Sequence, residues 1–334
     1  MPRAPVTTEV NFDGLVGPTH NYGGLAHGNL AAAANQGQVS NPREAALQGL
    51  AKMRWMLRHG LVQGCLPPHE RPHIPSLRKM GFAGKDADIL AAAARANPLL
   101  LANVSSASAM WTANAATVSP SADTGDGRVH FTPANLVSHF HRAIETDTTS
   151  RVLKSIFADE QHFAVHAPVP FPTFGDEGAA NHCRLTRAHG ERGVELFVYG
   201  QSTFARDGGG KYRARQSLEA CHIIATQHQL WTGGGAIFLQ QGRAAIDAGA
   251  FHNDVVSVAN ENVLMFHEQA FEDREAAIAA IQRAGEARGF EPAFLEAKKL
   301  ATRLHAERGR HVACSANRSP VQSGGAGLPR AQHG

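Results

Sequence analysis

The stretch Val255-Val256-Ser257-Val258-Ala259-Asn260-Glu261-Asn262-Val263-Leu264-Met265-Phe266 sets the fold class. Two apolar runs flank three turn-prone residues, which is the pattern of a β-hairpin. A helical stretch follows, from about residue 273 to 288. Further extended segments precede it at Glu195-Leu196-Phe197-Val198-Tyr199 and Ala236-Ile237-Phe238-Leu239. Strands alternating with helices predict an α/β or α+β class. Nearer the N-terminus, Asn41 is placed to cap a helix, with Pro42 at its first position and Glu44 at the positive end of its dipole. Ala46, Leu50, Met53 and Leu57 would form its buried face, and Gly60 its stop. A second helix is expected from Thr132-Pro133, burying Leu136, Val137, Phe140 and Ile144. A third is expected after Thr149, carrying Val152, Leu153, Ile156 and Phe157.

Composition narrows the class of function. Of 334 residues, 43% are hydrophobic and 18% charged, which is globular rather than disordered. A net charge of +3 gives no argument for nucleic acid. No apolar run approaches the roughly 20 residues of a membrane span, and the N-terminus lacks a secretory apolar region. Cys65, Cys183, Cys221 and Cys314 form no CxxC pair, so a reducing cytoplasm is expected rather than a disulfide scaffold. Residues 319–334, rich in Ser, Gly, Pro and Gln, cannot bury an apolar face and are expected to be disordered.

Several motifs carry chemistry-bearing side chains. His69-Glu70-Arg71-Pro72-His73 is a formal HExxH, whose zinc hydrolase form needs both histidines one turn apart on a continuous helix. Pro72 inside the motif opposes that by roughly 3 kcal/mol, so a proline-stiffened loop is the expectation. Gly208-Gly209-Gly210-Lys211-Tyr212 lacks the Ser/Thr of a phosphate loop and reads as a loop. Three other clusters stand out. Gly175-Asp176-Glu177-Gly178-Ala179-Ala180-Asn181-His182 sets two acids among small residues, leaving the backbone free to approach a ligand. In Phe251-His252-Asn253-Asp254, an extended conformation would point His252 and Asp254 to one side. The loop starting at Asn21-Tyr22 continues as Gly23-Gly24-Leu25-Ala26-His27-Gly28-Asn29. Each also has a plain structural role open to it: a turn acid, a satisfied strand-end histidine, an Ω-loop.

Taken in order, Val10-Asn11-Phe12-Asp13-Gly14-Leu15-Val16-Gly17, Pro67-Pro68-His69-Glu70-Arg71-Pro72, Ser119-Pro120-Ser121-Ala122-Asp123, the 175–182 cluster and Phe251-His252-Asn253-Asp254 resemble the N-succinylarginine dihydrolase family of the pentein, or guanidino-modifying, superfamily. The likeness runs from about residue 9 to 296. It implies an α/β propeller of ββαβ modules, incomplete at the C-terminus, over 1–296, with 297–334 as a divergent tail. It implies hydrolysis of N2-succinyl-L-arginine to N2-succinyl-L-ornithine, carbon dioxide and two ammonia molecules, without metal or organic cofactor, in a homodimer. Carried over by motif, Glu177 and His252 are catalytic. Asp254 binds the guanidinium. Gly23-Gly24-Leu25-Ala26-His27-Gly28-Asn29-Leu30-Ala31-Ala32, Asn114, His141, Arg142 and Arg215 contact substrate.

The residue types suit a planar cation. Carboxylates hold guanidinium nitrogens by charge-assisted hydrogen bonds, a thiolate attacks the carbon, and a histidine moves protons. The family's nucleophilic cysteine follows a glycine-rich stretch that has no match here. Cys314, in Val312-Ala313-Cys314-Ser315-Ala316-Asn317, lacks those glycines and is not expected to replace it. A truncated or frameshifted ending is the expectation, with exposed strand edges that favour association. The alternative is an inactive remnant that still binds substrate.

Overall fold

The computed structural model describes residues 7–26, 35–205, 209–230 and 235–298. The expectations placed on His27, Gly28, Asn29, Leu30, Ala31 and Ala32, on Gly208, on Cys314 and on the tail from 299 lie outside these residues.

The architecture is mixed α/β, in four small sheets. Strands β1 (Val10–Gly14) and β2 (Val62–Leu66) pair in parallel, joined through helix Pro42–Arg58. The next three sheets repeat one plan. β3 (Ala116–Ser119) is antiparallel to β4 (Val129–Pro133), and β5 (Phe163–Val165) lies parallel on β4's other side. β6 (His182–Leu185), β7 (Val194–Tyr199) and β8 (Ala236–Gln240) do the same, as do β9 (Ser257–Asn260), β10 (Val263–His267) and β11 (Ala293–Ala297). In each unit a hairpin is followed by helix and then by the parallel strand. A parallel neighbour cannot be reached by a tight turn, so the crossover carries helix: Thr146–Ile156, Leu218–Gln227 and Arg274–Ala287. Among the described residues no sheet closes on itself.

Neighbouring units share their cores. Val194, Leu196 and Val198 on one face of β7 pack with Leu264, Phe266 and Ile281 of the following unit. Phe197 on the other face meets Ala220, Cys221 and Ile224 of helix Leu218–Gln227. Burial on both faces explains the apolar run Leu196-Phe197-Val198 within β7. Each such side chain contributes about 1.5–3 kcal/mol. No helix among the described residues is long and apolar enough to cross a membrane.

Some local expectations need correction. Asn41 does cap helix Pro42–Arg58, accepting from the Glu44 N–H at 3.2 Å. Of its expected face, however, only Met53 is buried, and Leu50 and Leu57 are exposed. Among the described residues this helix packs chiefly on β1 and β2, which leaves part of its apolar stripe uncovered. Thr132-Pro133 does not start a helix but ends β4, where Phe131 pairs with Val118 on one side and Val165 on the other. Pairing on both sides outweighs the helix-start preference of proline, and a strand end tolerates its missing N–H. Helix appears only at Phe140–Ala143, and Leu136 and Ile144 are buried outside it. The helix expected after Thr149 begins earlier, at Thr146, whose hydroxyl donates to the Ala134 carbonyl at 3.0 Å.

Candidate active site

Each repeated unit is entered through a short 3-10 turn, and the site is built where these turns meet. Glu177 directly precedes the turn Gly178–Asn181 before β6, and His252 directly precedes the turn Asn253–Val255 before β9. The turn Thr112–Asn114 precedes β3. The three are linked in sequence. The Asn114 amide donates to the Glu177 carbonyl at 2.9 Å, and the Asn181 amide oxygen accepts from the Asn253 N–H at 2.9 Å. His252 and Asp254 therefore do not lie on one extended segment. Only His252 is extended, and the chain turns at Asn253, so the alternation argument fails while the neighbourhood survives.

The backbone around Glu177 is fixed on every side. The Asp176 N–H donates to Asn135 Oδ1 at 2.9 Å, and the Asp176 carbonyl accepts from the Leu136 N–H at 3.0 Å. Gln216 grips two points, accepting from the Glu177 N–H at 2.8 Å and donating to Asp176 Oδ1 at 3.1 Å. Gly178 has φ +70°, a conformation open to glycine. A Cβ on Gly175 would stand 2.6 Å from the Arg215 carbonyl oxygen. The close approach that Gly175 permits is thus to the backbone at Arg215.

The Glu177 carboxylate is the hub. One oxygen accepts from the Ser138 hydroxyl at 2.5 Å. The other accepts from His252 Nε2 at 2.8 Å and from the Arg142 guanidinium. Glu177, His252, Arg142 and Arg215 are all buried. Burial alone would raise the Glu177 pKa, but Arg142, the His252 hydrogen bond and Arg215 together hold it well below the usual range. His252 moves down to about 4, because burial and the two arginines outweigh the pull of Glu177. At neutral pH the pair is thus carboxylate and neutral imidazole, with the second ring nitrogen carrying the lone pair when Nε2 donates. Asp254 is exposed at one side, and the neighbours packed against its carboxyl raise it to about 6, against the opposing charge of Arg142. Asp176 is raised to about 6 by burial as well. Burial, then His139, Arg142 and Arg215, lower His141 to about 3.

The structure thus gathers Glu177, His252, Asp254, Arg142, Arg215, His141 and Asn114. Ser138 and Gln216 were not singled out in the sequence, since neither lies in a motif with a chemical signature. The described part of the loop, Gly23, Gly24, Leu25 and Ala26, has local contacts, with the Gly23 N–H donating to Asn21 Oδ1 at 3.1 Å. A cavity of about 400 Å³ opens beside the hub, lined among others by Ser138, Gly175, Arg215 and Phe251.

The other candidates fall away. Residues 67–73 are not helical, and His73 only precedes helix Ile74–Lys79, so His69 and His73 cannot share a helical turn. His69 is buried beside Arg71, and burial and that charge push it down to about 3. Among the described residues no group of His, Cys, Asp and Glu has a metal-holding arrangement. Burial pushes the Cys183 thiol up to about 12 and Cys221 higher still, and raises Cys65 as well. None of the three is poised as a thiolate.

The N-succinylarginine dihydrolase of Marinobacter nauticus is 62% identical over 277 residues, 82% of this chain and 62% of that protein. That of Shewanella amazonensis is 56% identical over 278 residues, with the same coverage. The chain thus spans less than two thirds of the length of these relatives. The N-terminal domain of ArgZ, a cyanobacterial arginine dihydrolase of the ornithine-ammonia cycle, superposes with a TM-score of 0.50 at 15% identity. It covers 88% of this chain and 77% of that one, which is a likeness of fold. The family model AstB, succinylarginine dihydrolase, matches residues 6–306, and with relatives this similar the chain belongs to the succinylarginine dihydrolase family.

Proposed function

We propose that this chain forms the guanidinium-binding, acid–base part of an N-succinylarginine dihydrolase site. The overall reaction is N2-succinyl-L-arginine plus two waters giving N2-succinyl-L-ornithine, carbon dioxide and two ammonia. The observation that carries the reading is the buried Glu177–His252 hydrogen bond, made between two units and flanked by Asp254. A guanidinium already sits against Glu177, that of Arg142, so the carboxylate is shaped to receive one. The substrate's guanidinium takes Glu177 and Asp254 as partners, its plane fixed by charge-assisted hydrogen bonds. Arg142 and Arg215 turn to the substrate's carboxylates. His252, neutral at rest, takes the proton of the attacking nucleophile and passes it to the departing ammonia, then takes a proton from the attacking water and passes it on in the same way.

The nucleophile of the family reaction is a cysteine, and the buried thiols of Cys183 and Cys221 do not suit that part. The chain is accordingly read as a binder of N2-succinyl-L-arginine that does not turn it over by itself. The complete enzyme would be a five-bladed propeller, a homodimer, and cytoplasmic. Isothermal titration with N2-succinyl-L-arginine is expected to give binding that Asp254→Asn weakens, with no ammonia released. Ammonia release lost in Cys314→Ala would instead make this chain a complete dihydrolase. Absence of any binding would remove the reading altogether.

A further inference from the structure

The residue immediately before His252 touches two members of the site. The Phe251 ring is half-buried and lines the cavity beside the hub. The Arg215 guanidinium carbon lies over it, 4.4 Å from the ring centre. The His252 ring meets it edge to face, with 4.7 Å between centres and 69° between planes. The backbone on both sides of this stack is held. The Ala250 carbonyl accepts from the buried Gln241 Nε2 at 2.8 Å, and the Ala250 N–H donates to the Ala245 carbonyl at 2.9 Å. Across the stack, the Arg215 carbonyl packs against Gly175, whose own carbonyl accepts from the Ser217 N–H at 2.9 Å. The backbone thus fixes where the Arg215 side chain starts, and the ring fixes where its guanidinium ends. Arg215 is buried, and burial lowers its pKa to about 10, with Glu177 opposing and Arg142 adding to the shift. A cation so placed is stabilised by an electron-rich neighbour. A carboxylate in that position would take its N–H groups and compete with an anionic ligand. An aromatic face attracts the cation without claiming those N–H groups as a carboxylate does.

We propose that Phe251 is a positioning residue, whose ring holds the Arg215 guanidinium at the cavity so that it can receive a carboxylate of the substrate. The proposal rests on the guanidinium-site reading above and adds what keeps one of its arginines in place.

The test is isothermal titration of the full chain with N2-succinyl-L-arginine and two analogues. Succinylagmatine lacks the α-carboxylate, and N2-acetyl-L-arginine lacks the succinyl carboxylate. Pentafluorophenylalanine introduced at position 251 keeps the shape of the ring and reverses the charge of its face. It should weaken N2-succinyl-L-arginine by about fivefold, a loss of about 1 kcal/mol, in the range of a cation–ring contact. Phe251→Leu should do the same, whereas Phe251→Tyr, which keeps the aromatic face, should stay within about twofold of the unaltered chain. The analogue that lacks the carboxylate held by Arg215 should bind every variant within about twofold of the unaltered chain, which also proves that each variant folds. The fluorinated ring covers the case in which Phe251→Leu does not fold. If the fluorinated protein binds N2-succinyl-L-arginine as well as the unaltered chain, or loses all three ligands alike, the positioning role is overturned and the guanidinium site stands. If none of the three ligands binds the unaltered chain, the guanidinium reading itself is wrong.

Discussion

Among the described residues two carboxylate–imidazole pairs are buried, and they differ in what surrounds them. Glu177 accepts from His252 at 2.8 Å, and Glu195 lies 2.9 Å from His182. All four side chains are almost wholly withdrawn from water. Around Glu195 the network is hydroxyl and imidazole: Ser119 donates to it at 2.6 Å, and His228 bridges Ser119 and Thr132 at 2.7 and 2.9 Å. None of these residues lines the cavity. Around Glu177 stand two arginines and a second carboxylate, and the cavity opens against Ser138. An acid beside a histidine is therefore not a site by itself. The Glu195–His182 pair ties the β3 and β6 units together, whereas the Glu177–His252 pair stands beside two arginines, a second carboxylate and an opening.

The sharpest way to break this comparison is to neutralise the hub. Glu177→Gln strands the buried Arg142 guanidinium and is expected to lower stability by about 3–5 kcal/mol in urea unfolding, with loss of N2-succinyl-L-arginine binding. A change under about 1 kcal/mol would make the hub no different from an ordinary buried hydrogen bond. Ser119→Ala in the other network leaves His228 and Glu195 short of a partner and should cost about 1–3 kcal/mol. Its ligand affinity should stay unchanged; weaker binding would show that the second network also serves the site.

The third test uses pH. Asp254 titrates at about 6, so below that pH a proton must leave before a guanidinium can bind. Affinity should therefore fall as pH drops through 6, by at most about tenfold per unit for one proton, and level off above 7. His252, at about 4, stays neutral throughout that window. Asp254→Asn should weaken binding and flatten the profile. A slope that persists in Asp254→Asn would assign the proton to Asp176, which also lies at about 6.

Local signals read well wherever a short stretch decides its own structure. The hairpin appears, although Asn260 joins its first strand and Val255-Val256 stay outside it, and β7, β8 and the cap at Asn41 appear as expected. They fail where a partner decides. Thr132-Pro133 carries a helix-start signal, but β3 and β5 recruit its segment as a strand. Leu50 and Leu57 have helical spacing, but among the described residues nothing covers them.

By itself the sequence determined which chemistry was available: acids within a glycine-rich turn, a histidine before a hairpin, and arginines to answer carboxylates. Only the tertiary structure decided that Glu177 meets His252 from 75 residues away, that Gln216 holds the backbone between them and Asp176, and that Arg142 occupies the carboxylate. The reason is physical. Hairpins and caps are fixed by contacts within a few residues, whereas a site assembled from the entry turns of successive units depends on how those units stack, and that stacking leaves no period in the chain.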